Sequence, residues 1–270
     1  MNNDFYVGYL PAPAGLKRFA IVVAVILVIT GAGFAAVTSS SQKAAGNGTW
    51  APANAVTLTG RLSVSPYPVL HKPDGQDVIL VVQGKQGADE FALPHAGKAV
   101  SITGFPIERG GWSMLEIPGA DAISPADVDA PAVPGVEVLG PVSLRGEIVD
   151  SKCFLGVMKP GSGKVHRACA ALCLLGGMPP MFVVKAEDGN KYGYVMTLAD
   201  GSHASRAMAP MVALPVSITG TVERRGDLLY LRVDDGSITP LAGTDLKRFG
   251  DTLAVSMETG EFCGVMTEAS

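Results

Sequence analysis

Short apolar runs broken by turn residues fill the chain from residue 55 onward. Because apolar and polar positions alternate within many of them, they predict β-strands with one buried face. In the first half the predicted strands are 56–64, 77–83, 99–106 and 112–117, and in the second half they are 142–149, 181–185, 191–197, 212–223 and 228–233. Glycine-bearing turns separate them, at residues 73–75, 109–111 and 187–190.

The predicted strands fall into two similar units. The five letters VSITG at residues 100–104 recur unchanged at residues 216–220, and Gly60 in LTGRL corresponds to Gly146 in LRGEI. Val100 follows Gly60 by 40 residues, whereas Val216 follows Gly146 by 70. The second unit therefore contains an insertion, which the alignment places at residues 150–180.

Each unit predicts a small β domain. Four or five short strands, with a longer connection before the fourth, suit a closed or nearly closed barrel such as an OB-fold, and a β-sandwich is the alternative. The predicted boundaries are a first β domain at 55–124, a Pro-rich linker at 125–141, a second β domain at 142–240 with the insertion 150–180, and a C-terminal tail at 241–270.

The N-terminal region contains an uncharged apolar segment, residues 19–37, directly after Lys17 and Arg18. Its length predicts a transmembrane helix, and the basic pair predicts a cytoplasmic tail at 1–18. A cleaved signal peptide is the alternative, although its apolar region is usually shorter. Residues 38–54 predict a flexible tether. In a bacterium the chain would span the inner membrane once, with its bulk in the periplasm.

Charge limits the partners. The formal net charge is −4, and the basic residues are scattered along the chain. A stripe of positive charge, which binding to phosphate backbones requires, is missing, so nucleic acid is excluded. The expected partners are the inner membrane and another membrane or periplasmic protein.

The insertion holds three of the four cysteines of the chain. Residues 159–163 predict a loop, and residues 165–175 predict a short helix that stops at a pair of glycines. His166, Cys169 and Cys173 lie at positions i, i+3 and i+7 and therefore share one face of that helix. A turn in the loop would bring Cys153 back against this face.

Three thiolates and one imidazole form the ligand set of a tetrahedral zinc site, so Cys153, His166, Cys169 and Cys173 predict a metal-binding or thiol-redox module. Copper would also suit these soft donors, with sulfur from Met158 and Met178 nearby. Asp150 would either orient His166 or cap the loop. Such a module would serve a respiratory or metal-delivery system.

Disulfides are the main alternative, because cysteines of exported proteins usually pair. Cys153 could bridge to Cys169 or Cys173, and Cys263 could take the remaining thiol. The chain would then be a non-catalytic scaffold subunit with a stapled docking insertion, contacting its partner through residues 174–175 and 178–181. A free reactive thiol is a third interpretation, in which Lys152 activates Cys153.

Two resemblances concern this block. The Cys-x3-Cys pair with a separate histidine resembles the copper site of membrane-anchored Sco-type assembly proteins, although their thioredoxin-like motif context is missing. The pattern D-x2-C…H-x2-C-A-x2-C-x2-G-G-x-P-P, residues 150–180, resembles uncharacterised membrane-anchored bacterial proteins, which implies a bacterial source and a periplasmic location but no activity.

Motifs of common enzymes are missing from the sequence. It contains no G-x-S-x-G nucleophile motif, no Cys-x-x-Cys-His haem motif and no complete phosphate loop. The remaining histidines, His71, His95 and His203, predict surface or turn positions. The sequence therefore gives no positive indication of an enzyme.

Overall fold

The computed structural model describes residues 14–42, 46–185, 191–242 and 265–266. Two compact units are present, Met1–Ala45 and Gly46–Ser270. In the first unit, helix α1 (Ala14–Ser41) has 28 residues and is about 42 Å long at 1.5 Å per residue. It is apolar and long enough to cross a membrane, and it extends beyond the predicted segment 19–37 at both ends. This helix is consistent with an anchor or a signal sequence.

The second unit contains two β-sheets. The first sheet consists of β1 (Thr49–Trp50), β2 (Val56–Ser63), β3 (Val69–His71), β4 (Asp77–Val82), β5 (Ala99–Arg109), β6 (Trp112–Ile117) and β7 (Ile123–Pro125). Strands β5, β2, β3, β4 and β6 are neighbours in that order, and β5 also pairs with β6, which closes a five-stranded barrel. Only β4 and β6 pair in parallel within this ring. Helix α2 (Asp89–Ala92) connects β4 to β5.

The second sheet repeats this arrangement. It consists of β8 (Glu137–Asp150), β9 (Pro180–Lys185), β10 (Lys191–Thr197), β11 (Pro215–Arg225), β12 (Leu228–Val233), β13 (Thr239–Pro240) and β14 (Val265–Met266). Strands β11, β8, β9, β10 and β12 follow one another in a near-ring, and β11 also pairs with β12. Helix α3 (Arg167–Leu175) lies in the insertion, and helix α4 (Ser205–Met208) occupies the position that α2 has in the first sheet.

The register of the strands confirms the repeat. Gly60 of β2 pairs with Val100 of β5, and Gly146 of β8 pairs with Val216 of β11. Both glycines are needed, because a Cβ at Gly60 would collide with the backbone of a neighbouring strand, and a Cβ at Gly146 would meet the Val183 carbonyl. The corresponding letters in the sequence therefore mark corresponding positions in space.

One hydrophobic core extends across both sheets. It includes Tyr67 and Ile79 from the first sheet and Leu144, Phe182 and Tyr230 from the second. The Tyr67 hydroxyl donates a hydrogen bond to the Met196 carbonyl at 2.7 Å and accepts one from the Ala204 N–H at 2.9 Å, so even this buried polar atom joins the two sheets. Burial of these side chains is the main favourable contribution to stability.

The sequence predicted most of the long strands and missed the short elements. Strands β1, β3 and β7 and helices α2 and α4 have four residues or fewer, too few for a periodic pattern. Strand β8 begins at Glu137, before the predicted residue 142, and β11 begins at Pro215, after the predicted residue 212. With its helices the fold is mixed α and β and about 40% strand. The predicted turn 187–190 lies outside the described residues.

Candidate metal centre

The insertion folds as two helical pieces joined by a loop. After β8 ends at Asp150, an irregular helical turn (Cys153–Val157) carries Cys153. The loop returns to a 3₁₀ turn (Lys164–His166), and helix α3 follows with Cys169 and Cys173. His166 therefore precedes the α-helix instead of lying inside it, but the predicted proximity of its side chain to the cysteines is retained.

Asp150 connects the two pieces. Its Oδ1 accepts a hydrogen bond from the Cys153 N–H at 2.9 Å, which caps the first turn. Its Oδ2 lies 3.0 Å from Nε2 of His166. Asp150 is fully buried and His166 is 5% exposed. Asp150 thus has both roles that the sequence offered as alternatives, since it caps the loop and orients the imidazole.

The cysteines gather around these two residues. One group of possible metal ligands is Cys153, His166 and Cys169, and a second is Asp150, Cys153 and Cys173; within each group the ligand atoms lie within 4.8 Å of one another. Ligands of a tetrahedral zinc ion are about 3.5 Å apart, so the spacing in each group is compatible with a bound ion. Cys153 belongs to both groups and is the centre of the cluster.

All three described cysteines are free thiols rather than disulfides. A hydrogen bond joins Cys153 and Cys173, and it raises the pKa of Cys153, as do burial and the charge of Asp150. The same bond lowers the pKa of Cys173, with help from Lys85. Of the two thiols, Cys173 therefore loses its proton more readily than Cys153.

Lys85 was not predicted and comes from the other sheet. It lies in the turn after β4, and its Nζ is 2.8 Å from Sγ of Cys169 and 3.6 Å from Sγ of Cys173. The hydrogen bond to Cys169 raises the pKa of Lys85, which keeps the side chain cationic. Nothing in the sequence near Lys85 identifies it, because the contact depends on how the two sheets pack.

The glycine pair after α3 makes this contact possible. The Gly87 N–H donates to the Gly176 carbonyl at 3.0 Å, and a Cβ at Gly176 would collide with the Lys85 carbonyl. Gly177 adopts a φ of 94°, which favours glycine. The pair therefore ends the helix and also lets the Lys85 turn lie against it.

Lys152 does not activate Cys153, contrary to the third interpretation. Its Nζ lies 2.5 Å from a carboxylate oxygen of Glu116 and donates to the carbonyls of Val82 and Gly84 at 3.0 and 2.9 Å. The side chain is buried and fully occupied by the first sheet. Lys152 therefore joins the sheets, and Lys85 supplies the positive charge beside the thiols.

The docking segment proposed from the sequence is mostly buried. Leu174 and Met178 are fully buried, and residues 179–181 are buried as well. They face the core because Leu174 belongs to the packed side of α3 and residues 180–181 begin β9. Only Leu175 of the predicted contact is exposed. The segment serves the core instead of a partner.

The remaining predicted residues differ in burial and in their contacts. Met178 is buried and its N–H donates to the Cys173 carbonyl at 3.0 Å, whereas Met158 is exposed. Cys263 lies outside the described residues. His71, predicted at the surface, is buried. Its burial is tolerated because Asp77 and Ser63 occupy both of its ring nitrogens.

No family model, curated protein or solved structure matches this chain. What the structure defines is a chain with an N-terminal apolar helix, two ring-like sheets and a buried Cys/His/Asp cluster that could hold a metal ion.

Proposed function

We propose that this chain is a membrane-anchored metal-binding protein whose ligands are Cys153, His166, Cys169 and Cys173. One observation carries the proposal: two groups of possible ligands, one with His166 and Cys169 and the other with Asp150 and Cys173, share the Cys153 sulfur, and Asp150 holds the imidazole. Buried polar groups of this kind are costly unless they are paired or bind a metal. Carboxylate–histidine pairs of this kind are typical of metal sites.

The donor set favours zinc or copper. Thiolate and imidazole ligands suit Zn²⁺ and Cu⁺ and are poor ligands for Mg²⁺ or Ca²⁺. Three thiolates would leave the complex with a negative charge for either ion. Lys85 lies beside two of the sulfurs and would reduce this charge.

The location and the fold class extend the proposal. The strand order of the rings and the single parallel pair in each support OB-type barrels. Lys17 and Arg18 before the apolar helix, and the resemblance of block 150–180, support a bacterial inner-membrane protein with its bulk in the periplasm. There it would serve a respiratory or metal-delivery system through another membrane or periplasmic protein.

Elemental analysis of the full chain tests the proposal. The chain is exported to a periplasm, extracted in mild detergent and purified without chelator. We expect about one equivalent of zinc or copper, and a His166→Ala variant with about 10- to 100-fold weaker metal affinity. His95→Ala, which removes a histidine outside the cluster, is the matched control and should bind like the parent. A fully reduced chain that takes up neither ion would disprove the proposal.

A further inference from the structure

The three thiols of the cluster differ in their access to solvent. Cys173 and Cys153 are buried, with 1% and 4% of their surface exposed, whereas Cys169 is half-buried. Cys169 is also the nearer of the two thiols that contact Lys85, which is itself exposed to solvent. The cluster therefore has one thiol at its edge and two behind it.

We infer that the cluster carries out thiol–disulfide exchange with an external disulfide, in which Cys169 attacks and Cys153 resolves the mixed disulfide. A small disulfide or an exposed disulfide of another protein is the class of substrate. Only the consequence for metal release rests on the proposed function, since the exchange itself needs no metal.

The exchange has two steps. In the first, the thiolate form of Cys169 bonds to one sulfur of the external disulfide, and the other half leaves as a thiolate. In the second, Cys153 bonds to the Cys169 sulfur, expels the second half as a thiolate and gives up its proton to one of the two departing thiolates. Two cysteines are oxidised to one disulfide, and the external disulfide is reduced to one thiol and one thiolate.

The geometry assigns these roles. Cys153 resolves because its sulfur lies within 4.8 Å of the Cys169 sulfur, in one ligand group, and of the Cys173 sulfur, in the other. Lys85 lies beside the more accessible thiol, Cys169. Its ammonium group would stabilise negative charge on the Cys169 sulfur as an external disulfide approaches. Asp150 contacts Cys153 and His166.

Oxidation would remove two sulfur ligands at once. A Cys153–Cys169 disulfide leaves only His166 and Cys173 from the proposed ligand set, too few to close a tetrahedral site. Metal would therefore be released when the disulfide forms and bound again after reduction.

Oxidised glutathione tests the exchange on the reduced, metal-free full chain. All variants carry Cys263→Ala, which removes the fourth cysteine. Products are mapped by mass spectrometry of the digested chain. We expect a Cys153–Cys169 disulfide in the parent, a glutathione adduct on Cys169 in Cys153→Ala, and a reaction at least about tenfold slower in Cys169→Ala.

Lys85 provides a second readout that needs no cysteine change. Lys85→Met should slow adduct formation by about tenfold, and Lys85→Arg should restore much of the rate. Lys98→Met, an exposed lysine outside the cluster, is the control. If Cys169→Ala reacts as fast as the parent, or if no Cys153–Cys169 disulfide forms, the inference is wrong.

The outcomes separate the two proposals. Disulfide formation in a chain that never binds zinc or copper when reduced would support the exchange and disprove the metal site. Tight metal binding in a chain that forms no disulfide would do the reverse. Release of bound metal upon treatment with oxidised glutathione would support both.

Discussion

The two sheets of the second unit have the same strand order and the same register, but only one of them carries the cluster. In the first sheet, residues 64–68 connect β2, which contains Gly60, to β3, whereas residues 151–179 make the corresponding connection between β8 and β9 in the second. A repeated scaffold has thus acquired chemistry in one connection, where an insertion is tolerated better than within a strand.

Each sheet also has a buried histidine paired with an aspartate. His71 and Asp77 are cross-strand partners in the first sheet, with Nδ1 2.6 Å from Oδ1, and the Ser63 hydroxyl lies 2.8 Å from Nε2. Both ring nitrogens are therefore occupied. In the second sheet, Asp150 holds only Nε2 of His166, and thiols surround the imidazole instead of a hydroxyl. The same pair is structural in one sheet and part of a candidate site in the other.

The largest expected difference comes from removing the two aspartates. Asp150→Ala and Asp77→Ala each leave a buried histidine without its partner, and each should cost about 3 kcal/mol of unfolding free energy. Only Asp150→Ala should also weaken metal affinity, by at least about tenfold. Denaturant unfolding and metal titration of the full chain check this. Equal loss of metal affinity in both variants would contradict the division of roles.

Gly176→Ala should separate the cluster from the first sheet. The new methyl group would collide with the Lys85 carbonyl, so the turn must move, at a cost of about 1–3 kcal/mol. Alkylation of Cys169 should change in rate, because Lys85 no longer lies at its sulfur. The control is Gly135→Ala, where a Cβ would meet nothing within 4 Å. An unchanged melting temperature and alkylation rate in Gly176→Ala would show that the turn does not depend on this contact.

Ser63→Ala tests the structural role of the first histidine pair. Loss of the hydroxyl leaves Nε2 of His71 without its partner and should cost about 1 kcal/mol. Metal content should stay the same, since Ser63 belongs to the other sheet. Ser124→Ala removes an exposed hydroxyl from the first sheet and should change stability by less than about 0.5 kcal/mol. A fall in metal content in Ser63→Ala would contradict the conclusion that the first histidine pair is independent of the metal site.

The sequence predicted what depends on local pattern. The apolar helix, the long strands and the repeat follow from periodicity and from repeated letters. Within the cluster, the spacing of His166, Cys169 and Cys173 indicated a shared face, and the loop before them indicated the return of Cys153. The proposed role of these residues in metal binding remains a prediction that the experiments above test.

What the sequence missed depends on contacts between residues on different strands or different sheets. Lys85 is 84 residues from Cys169 in the sequence. Lys152 forms an ion pair with Glu116 of the first sheet instead of contacting its neighbour Cys153. His71 was predicted at the surface because it flanks a proline-bearing turn, and its partners, Ser63 and Asp77, become neighbours only when three strands pair. Such side-chain contacts leave no periodic pattern in the sequence, so the spacing of residues could not have predicted them.

The smallest expected effect concerns the junction where Asp77 serves both sheets. The Asp77 N–H donates to Oδ1 of Asp227, and the Asp227 N–H donates to Oδ2 of Asp77, each at 3.1 Å. Partial burial of the carboxyl group and the charge of Asp77 raise the pKa of Asp227 to about 6. Because the folded chain then holds this proton more tightly than the unfolded chain, Asp227 lowers stability as pH rises from about 4 to about 6.

Asp227→Asn should remove this pH dependence. Below about pH 4 the carboxyl is protonated in both states, so the variant and the parent should be alike; above about pH 6 the variant should be more stable. The gain should stay below about 1 kcal/mol, because Asp227 is only partly buried and solvent screens much of its charge. Urea unfolding at pH 4, 5, 6 and 7 measures it, with Asp235→Asn as the exposed control. A constant difference across this range would mean that burial and the charge of Asp77 do not raise the pKa of Asp227.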